Sequence, residues 1–224
     1  MNLLAIDTTT DNVSLSIMKE DKIIVDFNRR IRFGASKVMP LIEKLIKKAS
    51  LDLKKIDAFV IGAGPGSFTG LRISFSIVKG FGLALNKPII KIGSFYSLAY
   101  PFIGGKHRNI AVVSDARRQL IYTASFKINK NSFKMEGKEK LIKLEDFVKG
   151  KKDCLFITHD KELRTKVLSL YPDISFYNKD VWPKSAYLLE LAKSYYIKEK
   201  FTSVNKLEPL YLHPKTCQIR MNSV

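Results

Sequence analysis

Gly62-Ala-Gly64-Pro65-Gly66-Ser67-Phe68-Thr69-Gly70-Leu71-Arg72 carries the strongest chemical signal in the chain. Small residues where a strand turns into a helix let the backbone approach an anion, and the helix start offers free N–H groups and partial positive charge. A Walker loop would end in Gly-Lys-Ser/Thr, and no lysine holds that place here. Pro65 removes one N–H from inside the loop, which spoils a dinucleotide fingerprint. The same spacing also suits a turn that merely packs closely, and spacing alone leaves the two uses even.

Asp7, followed by Thr8 and Thr9, ends a short apolar run at the N-terminus. In kinases and ATPases of two-lobed type, an acid at a strand end can hold a metal–phosphate group while hydroxyls contact the phosphates. Such residues also form ordinary turns by bonding to nearby backbone. His107, His159 and His213 lie about fifty residues apart with no HxxxH or HExxH pair, so each is expected at the surface or as a cap rather than as a metal ligand. Cys154 heads an apolar strand and reads as core. With Cys217 far away and no CxxC spacing, a reduced, cytoplasmic setting is expected.

The elements that position these residues follow from periodicity. Residues 3–6, 13–17 and 23–27 read as three strands of an antiparallel meander. Val38, Leu41, Ile42, Leu45, Ile46 and Ala49 recur at helical spacing after Ser36, a plausible cap, with Pro40 in the first turns. Ala58–Ile61 is a buried strand into the glycine loop, a helix runs from about Ser67 to Leu85, a strand spans Pro88–Ile92, and Ser94 caps a third helix. The order βββαβαβα then recurs: strands at 109–113, 120–126 and 133–142, a short helix at 144–148, a strand at 155–157, a helix at 161–170, a strand at 174–177 and a helix from 185 to 196. A unit written twice implies two similar lobes, 1–103 and 104–224, with the C-terminal segment free to pack back on the first.

Composition bounds the setting. The 224 residues are 46% hydrophobic, enough for real cores, and carry a net charge of +18. The lysines are scattered singly and in pairs (Lys47-Lys48, Lys54-Lys55, Lys151-Lys152), which fits a solvated surface and an RNA-facing one equally. No basic leader precedes Asp7, and no uninterrupted apolar stretch of about 18 residues exists, so neither a signal peptide nor a membrane span is expected. The helix from Ser67 to Leu85 is apolar nearly all round, with Arg72 and Lys79 on one narrow face. That excess means burial on both sides or contact with another protein.

The segment Gly64-Pro-Gly-Ser-Phe-Thr-Gly-Leu-Arg72, after Ile6-Asp7-Thr8-Thr9, closely resembles the signature of the bacterial TsaB (YeaZ) family. Val113-Ser-Asp115-Ala-Arg117-Arg118 and Glu208-Pro-Leu-Tyr211-Leu are similar to further family segments. The likeness is strongest over 2–90 and thin from 130 to 200; Ala35-Ser36 stands where the family often has His-Ser. The resemblance implies an actin/hexokinase-type ATPase-domain fold of two RNase H-like lobes, the second degenerate. It implies a cytoplasmic, non-catalytic subunit that binds the catalytic paralogue TsaD, with the ATPase TsaE, in threonylcarbamoylation of adenosine 37 of tRNA, and that forms a homodimer when alone. Asp7, Thr8, Thr9, Gly64, Gly66, Ser67, Thr69 and Gly70 would then be a vestigial phosphate loop, with no cofactor beyond weak ATP or ADP binding. The partner would meet the first two helices, at Leu41, Leu45, Phe75, Ile77, Val78, Phe81 and Gly82. Because Phe75 and Ile77 lie about 200° apart on the helix, one of them is expected to face the core and the other the partner. The competing reading is a stand-alone kinase or ATPase using Asp7 and the glycine loop.

Overall fold

The computed structural model describes residues 1–31, 35–149, 151 and 153–213, with backbone alone at 35 and 36. The expected Ser36 cap, Lys152 and Cys217 therefore lie outside the described side chains. The first half runs β1 (Leu3–Asp7), β2 (Asn12–Lys19), β3 (Lys22–Arg30), α1 (Ala35–Lys48), β4 (Ala58–Gly62), α2 (Phe68–Leu85), β5 (Ile89–Ile92) and α3 (Ser94–Ala99). The second runs β6 (Asn109–Asp115), β7 (Leu120–Ile128), β8 (Phe133–Lys143), α4 (Leu144–Val148), β9 (Leu155–Ile157), α5 (Lys161–Leu170), β10 (Ser175–Phe176) and α6 (Ser185–Ile197).

Each half builds a five-stranded sheet, in the orders β3-β2-β1-β4-β5 and β8-β7-β6-β9-β10. The hairpin-connected strands pair antiparallel, while β1/β4/β5 and β6/β9/β10 pair parallel across helical crossovers. The repeated pattern thus becomes a repeated topology, the two-lobed actin/hexokinase-type α/β fold.

In the first sheet, Leu4, Ile6, Val13, Leu15, Phe59 and Ile61 pack under α1 and α2. The other face, with Leu3, Ala5, Val60 and Ile90, is covered by Leu188, Leu189 and Ala192 of α6, which comes from the second half. Conversely, Phe95, Leu98 and Ala99 of α3 pack on Ile110, Val112 and Phe126 of the second sheet. The halves therefore exchange their last helices.

Serines fasten that exchange. Ser14 and Ser16 of β2 meet Ser185, the first residue of α6: Ser185 N–H donates to Ser14 Oγ (2.8 Å), and Ser185 Oγ lies 2.7 Å from Ser16 Oγ. All three are buried. Asn28 Nδ2 of β3 donates to the Pro183 carbonyl (2.9 Å) just upstream. A helix start without a side-chain cap of its own is thus capped from a neighbouring sheet.

Pro40 sits in the second turn of α1, on the exposed face. By length and composition α2 could cross a membrane; here Leu71, Phe75 and Val78 lie in the core beneath it. Ser67 Oγ caps α2 by accepting from Gly70 N–H (3.2 Å), and Asn86 closes it in a left-handed conformation. Beyond α6, Thr202 N–H donates to the Ile89 carbonyl on the edge strand (2.8 Å), Leu210 N–H to the Ala63 carbonyl (2.8 Å), and the His213 ring meets the Ala116 carbonyl (3.1 Å). This C-terminal strap runs from the first sheet across the glycine loop to the second.

Candidate functional site

Asp7 is the last residue of β1, and the loop after β4 folds over it. The carboxylate is 1% exposed. Its Oδ1 accepts from Thr9 N–H (2.9 Å) and Thr9 Oγ1–H (2.6 Å), whereas Oδ2 has no hydrogen-bond partner even though Ser94 Oγ lies alongside. Burial pushes the Asp7 carboxyl above its ordinary range, against the weaker opposing pull of the Thr9 and Ser94 hydroxyls and the Thr9 amide.

The glycines show what the loop holds. A Cβ at Gly62 would fall on the Asp7 carboxylate, at Gly66 on the Thr9 carbonyl, and at Gly70 on the Thr8 carbonyl. Thr8 Oγ1–H donates to the Gly70 carbonyl (2.6 Å), and Ser67 N–H donates to the Thr9 carbonyl (2.7 Å). Two amides that a phosphate would want, those of Ser67 and Gly70, are thus already engaged. Gly64 takes φ +96°, a conformation that favours glycine, beside Leu71 and under the Leu210 carbonyl. Asp7, Thr8, Thr9, Gly64, Gly66, Ser67 and Gly70 do come together, with Thr69 exposed at the helix start. The small residues accommodate the chain's own Asp-Thr-Thr turn. In this arrangement the residues do not fit a metal–nucleotide, because Asp7 is sealed from solvent and the loop's hollow is filled.

Ser94, expected as a helix cap, is instead the first residue of α3: Gly93 holds the cap position with no side-chain cap bond, and Ser94 Oγ accepts from Gly64 N–H (3.2 Å), which ties α3 to the loop. Ser14 and Ser16 give one sequence signal, serine alternating with apolar residues along β2, a pattern that reads as a solvent face, and Ser185 gives none. The histidines are dispersed: His213 lies edge-on to Tyr122, and His159 is half-buried against Trp182 with its Nδ1 buried and unpartnered. Burial lowers the His159 pKa. Cys154 is in the core, where burial raises its pKa. Among the described residues no three histidine, cysteine or carboxylate side chains gather as a metal set.

The expected partner surface needs correction. Leu45, Phe75, Val78 and Gly82 belong to the first lobe's own core: Phe75 is 4% exposed, and a Cβ at Gly82 would strike Ile89. One helix covering the twisted sheet buries more than a single stripe, which accounts for much of the apolar excess on α2. Phe75 is the core-facing member of its pair with Ile77. Leu41, Ile77 and Phe81 are half-buried at the core's margin, Phe81 stacked on Phe59 at 5.1 Å. The outward surface instead carries Met39 on α1 and Arg72, Ser76, Gly80 and Leu83 on α2, with Leu83 67% exposed. Arg72 stacks over the Phe68 ring (3.9 Å), which meets Tyr211 of the strap (5.1 Å).

Residues 32–181 match the family model for TsaD, tRNA N6-adenosine threonylcarbamoyltransferase. The chain is similar to the tRNA threonylcarbamoyladenosine biosynthesis protein TsaB of Haemophilus influenzae, 25% identical across 95% of this chain and 93% of that protein. It is 31% identical to TsaB of Buchnera aphidicola from Schizaphis graminum, over 70% of this chain and 78% of that one. A crystal structure of a Pseudomonas aeruginosa protein described as similar to peptidase YeaZ shares the fold, with TM-score 0.83 at 24% identity, covering 95% and 99% of the two chains. With a glycine loop shut on its own Asp-Thr-Thr turn and full-length likeness to these relatives, the chain belongs to the TsaB (YeaZ) family.

Proposed function

We propose that this chain is a non-catalytic subunit in the making of threonylcarbamoyladenosine on tRNA, where it binds and activates the catalytic paralogue TsaD. The observation that carries this reading is the occupied glycine loop: the acid that a two-lobed kinase or ATPase would use is buried beneath its own turn, with one oxygen unpartnered. The exposed Met39, Ser76, Gly80 and Leu83 of α1 and α2 are the surface for TsaD in the assembly, and for a second copy when the chain is alone. TsaE joins through that assembly, and no nucleotide is required by this subunit itself. The test is reconstitution with TsaD, TsaE and unmodified tRNA from the same cell, with ATP and an activated threonylcarbamoyl donor supplied. Modification is expected only when this chain is present, and the chain alone should neither modify tRNA nor turn over ATP. Steady ATP turnover by the isolated chain, abolished by Asp7→Ala, would overturn the proposal in favour of a stand-alone ATPase or kinase.

A further inference from the structure

The two lobes differ most on one sheet face. In the first lobe α1 is 14 residues long and covers Val13, Leu15 and Ile17 of β2. In the second, α4 has five residues. The strand in the matching place, β7, carries Ile121, Thr123, Ser125 and Lys127 toward that side: Ile6 faces Leu15 in one lobe as Val113 faces Thr123 in the other. The uncovered ground holds two adjoining depressions of about 520 and 260 Å³, which share Glu136 and Lys151.

Lys127, Lys138, Lys140, Lys149 and Lys151 line them, against the carboxylates Glu136, Asp146 and Asp153. Glu136 is within 3.4 Å of Lys127. The other four lysines have no carboxylate partner among the described residues, and Lys151 lies over the buried Phe147 ring (5.8 Å). Lysines on an edge strand can simply guard it against pairing, and β8 is such a strand. That does not account for Lys127 on the inner strand β7, nor for Lys149 and Lys151 beyond α4, which have no edge to guard.

We propose that this lysine-lined trough is a contact surface for the phosphate backbone of RNA. The proposal rests on the reading that the chain serves a tRNA-modifying assembly. Lys138 and Lys140 both line the trough where β8 bulges at Gly137 (φ +78°) opposite Thr123 and Ser125, so their charges sit close together there. A row of mobile point charges suits a linear polyanion better than a single compact anion, which would call for convergent, buried donors. The one ring in the lining, Phe147, is buried, so the trough offers no exposed aromatic platform for bases. It is built for backbone contact without sequence readout.

The experiment compares the full chain with Lys127→Glu/Lys138→Glu/Lys140→Glu/Lys151→Glu and with Lys54→Glu/Lys55→Glu/Lys198→Glu/Lys200→Glu. The second variant makes the same change in net charge at exposed lysines elsewhere. Circular dichroism checks folding, and filter binding of an unmodified tRNA transcript is measured across a salt series. The trough variant should bind at least about tenfold more weakly, with a log K–log salt slope shallower by about three, and the control should stay within about twofold of the parent. Equal losses in both variants, no RNA binding by the parent at low salt, or competition by polyglutamate as effective as by tRNA would overturn the trough. The reconstituted modification reaction separates the two readings. Trough-dependent binding without modification would sink the subunit assignment alone, and modification without trough-dependent binding would sink the trough alone.

Discussion

Changing Asp7 to asparagine asks whether this acid is a reagent or a piece of packing. Oδ1 satisfies two donors on Thr9, and Oδ2 satisfies none. Asparagine keeps the acceptor in place and removes the group that resists ionising in a dry site, so Asp7→Asn should leave stability at neutral pH within about 1 kcal/mol of the parent or above it. Asp7→Ala strands both Thr9 donors at about 1–3 kcal/mol each, for a loss of about 2–6 kcal/mol. The pH dependence separates the two causes. The folded-state pKa lies above the unfolded one, so the contribution of Asp7 to stability is fully present below the unfolded value and is lost as pH rises through the folded value. Urea unfolding of parent and Asp7→Asn across the acid-to-neutral range should show the parent losing stability relative to the variant as pH rises. A parent and variant with parallel pH profiles, or an asparagine variant as unstable as the alanine one, would refute this account of the site.

Phe75→Asp should destabilise the isolated chain by more than about 3 kcal/mol in urea unfolding, since a buried ring is exchanged for an unpaired charge. Leu83→Asp should stay within about 0.5 kcal/mol of the parent yet abolish association in sedimentation with TsaD; a folded Leu83→Asp chain that still associates would remove this face from consideration. Gly70→Ala drives a methyl into the Thr8 carbonyl, where no flexible side chain can yield, and should cost at least about 1–3 kcal/mol in thermal unfolding. Gly80→Ala, with open space around it, should instead gain about 0.5–1 kcal/mol by the same measurement. Ser14→Ala removes the acceptor for the first amide of α6 and should cost about 1–3 kcal/mol, read as a fall in urea midpoint.

Secondary structure was legible because each element advertised its own period. The second half keeps the order even where its likeness to the first is thin: β8, α4, β9 and α5 fall where alternation, a short apolar turn and helical spacing put them. What sequence could not give was which face of an element would find cover, and from where. Ser14 and Ser16 look like a solvent face until α6 arrives from some 170 residues away. Phe75, Val78 and Gly82 look surplus on α2 because the sheet's full apolar width is not visible in one helix. The glycine loop was legible as a close approach of backbone, but spacing does not say whether a phosphate or the chain itself makes the approach. That was decided by the Thr8 and Thr9 carbonyls and by Leu210, all distant in sequence.

The exchange of last helices bears on how the chain is made. The face of the first sheet formed by Leu3, Ala5, Val60 and Ile90 stays bare until α6, ending at Ile197, has left the ribosome. At ordinary synthesis rates the roughly one hundred residues between β5 and the end of α6 take about 5–20 s to add. Throughout that interval the nascent first half presents an apolar sheet with nothing of its own to cover it. Splitting the gene at the seam between the lobes would make the interval permanent, leaving one fragment with an open sheet and the other with an orphaned helix.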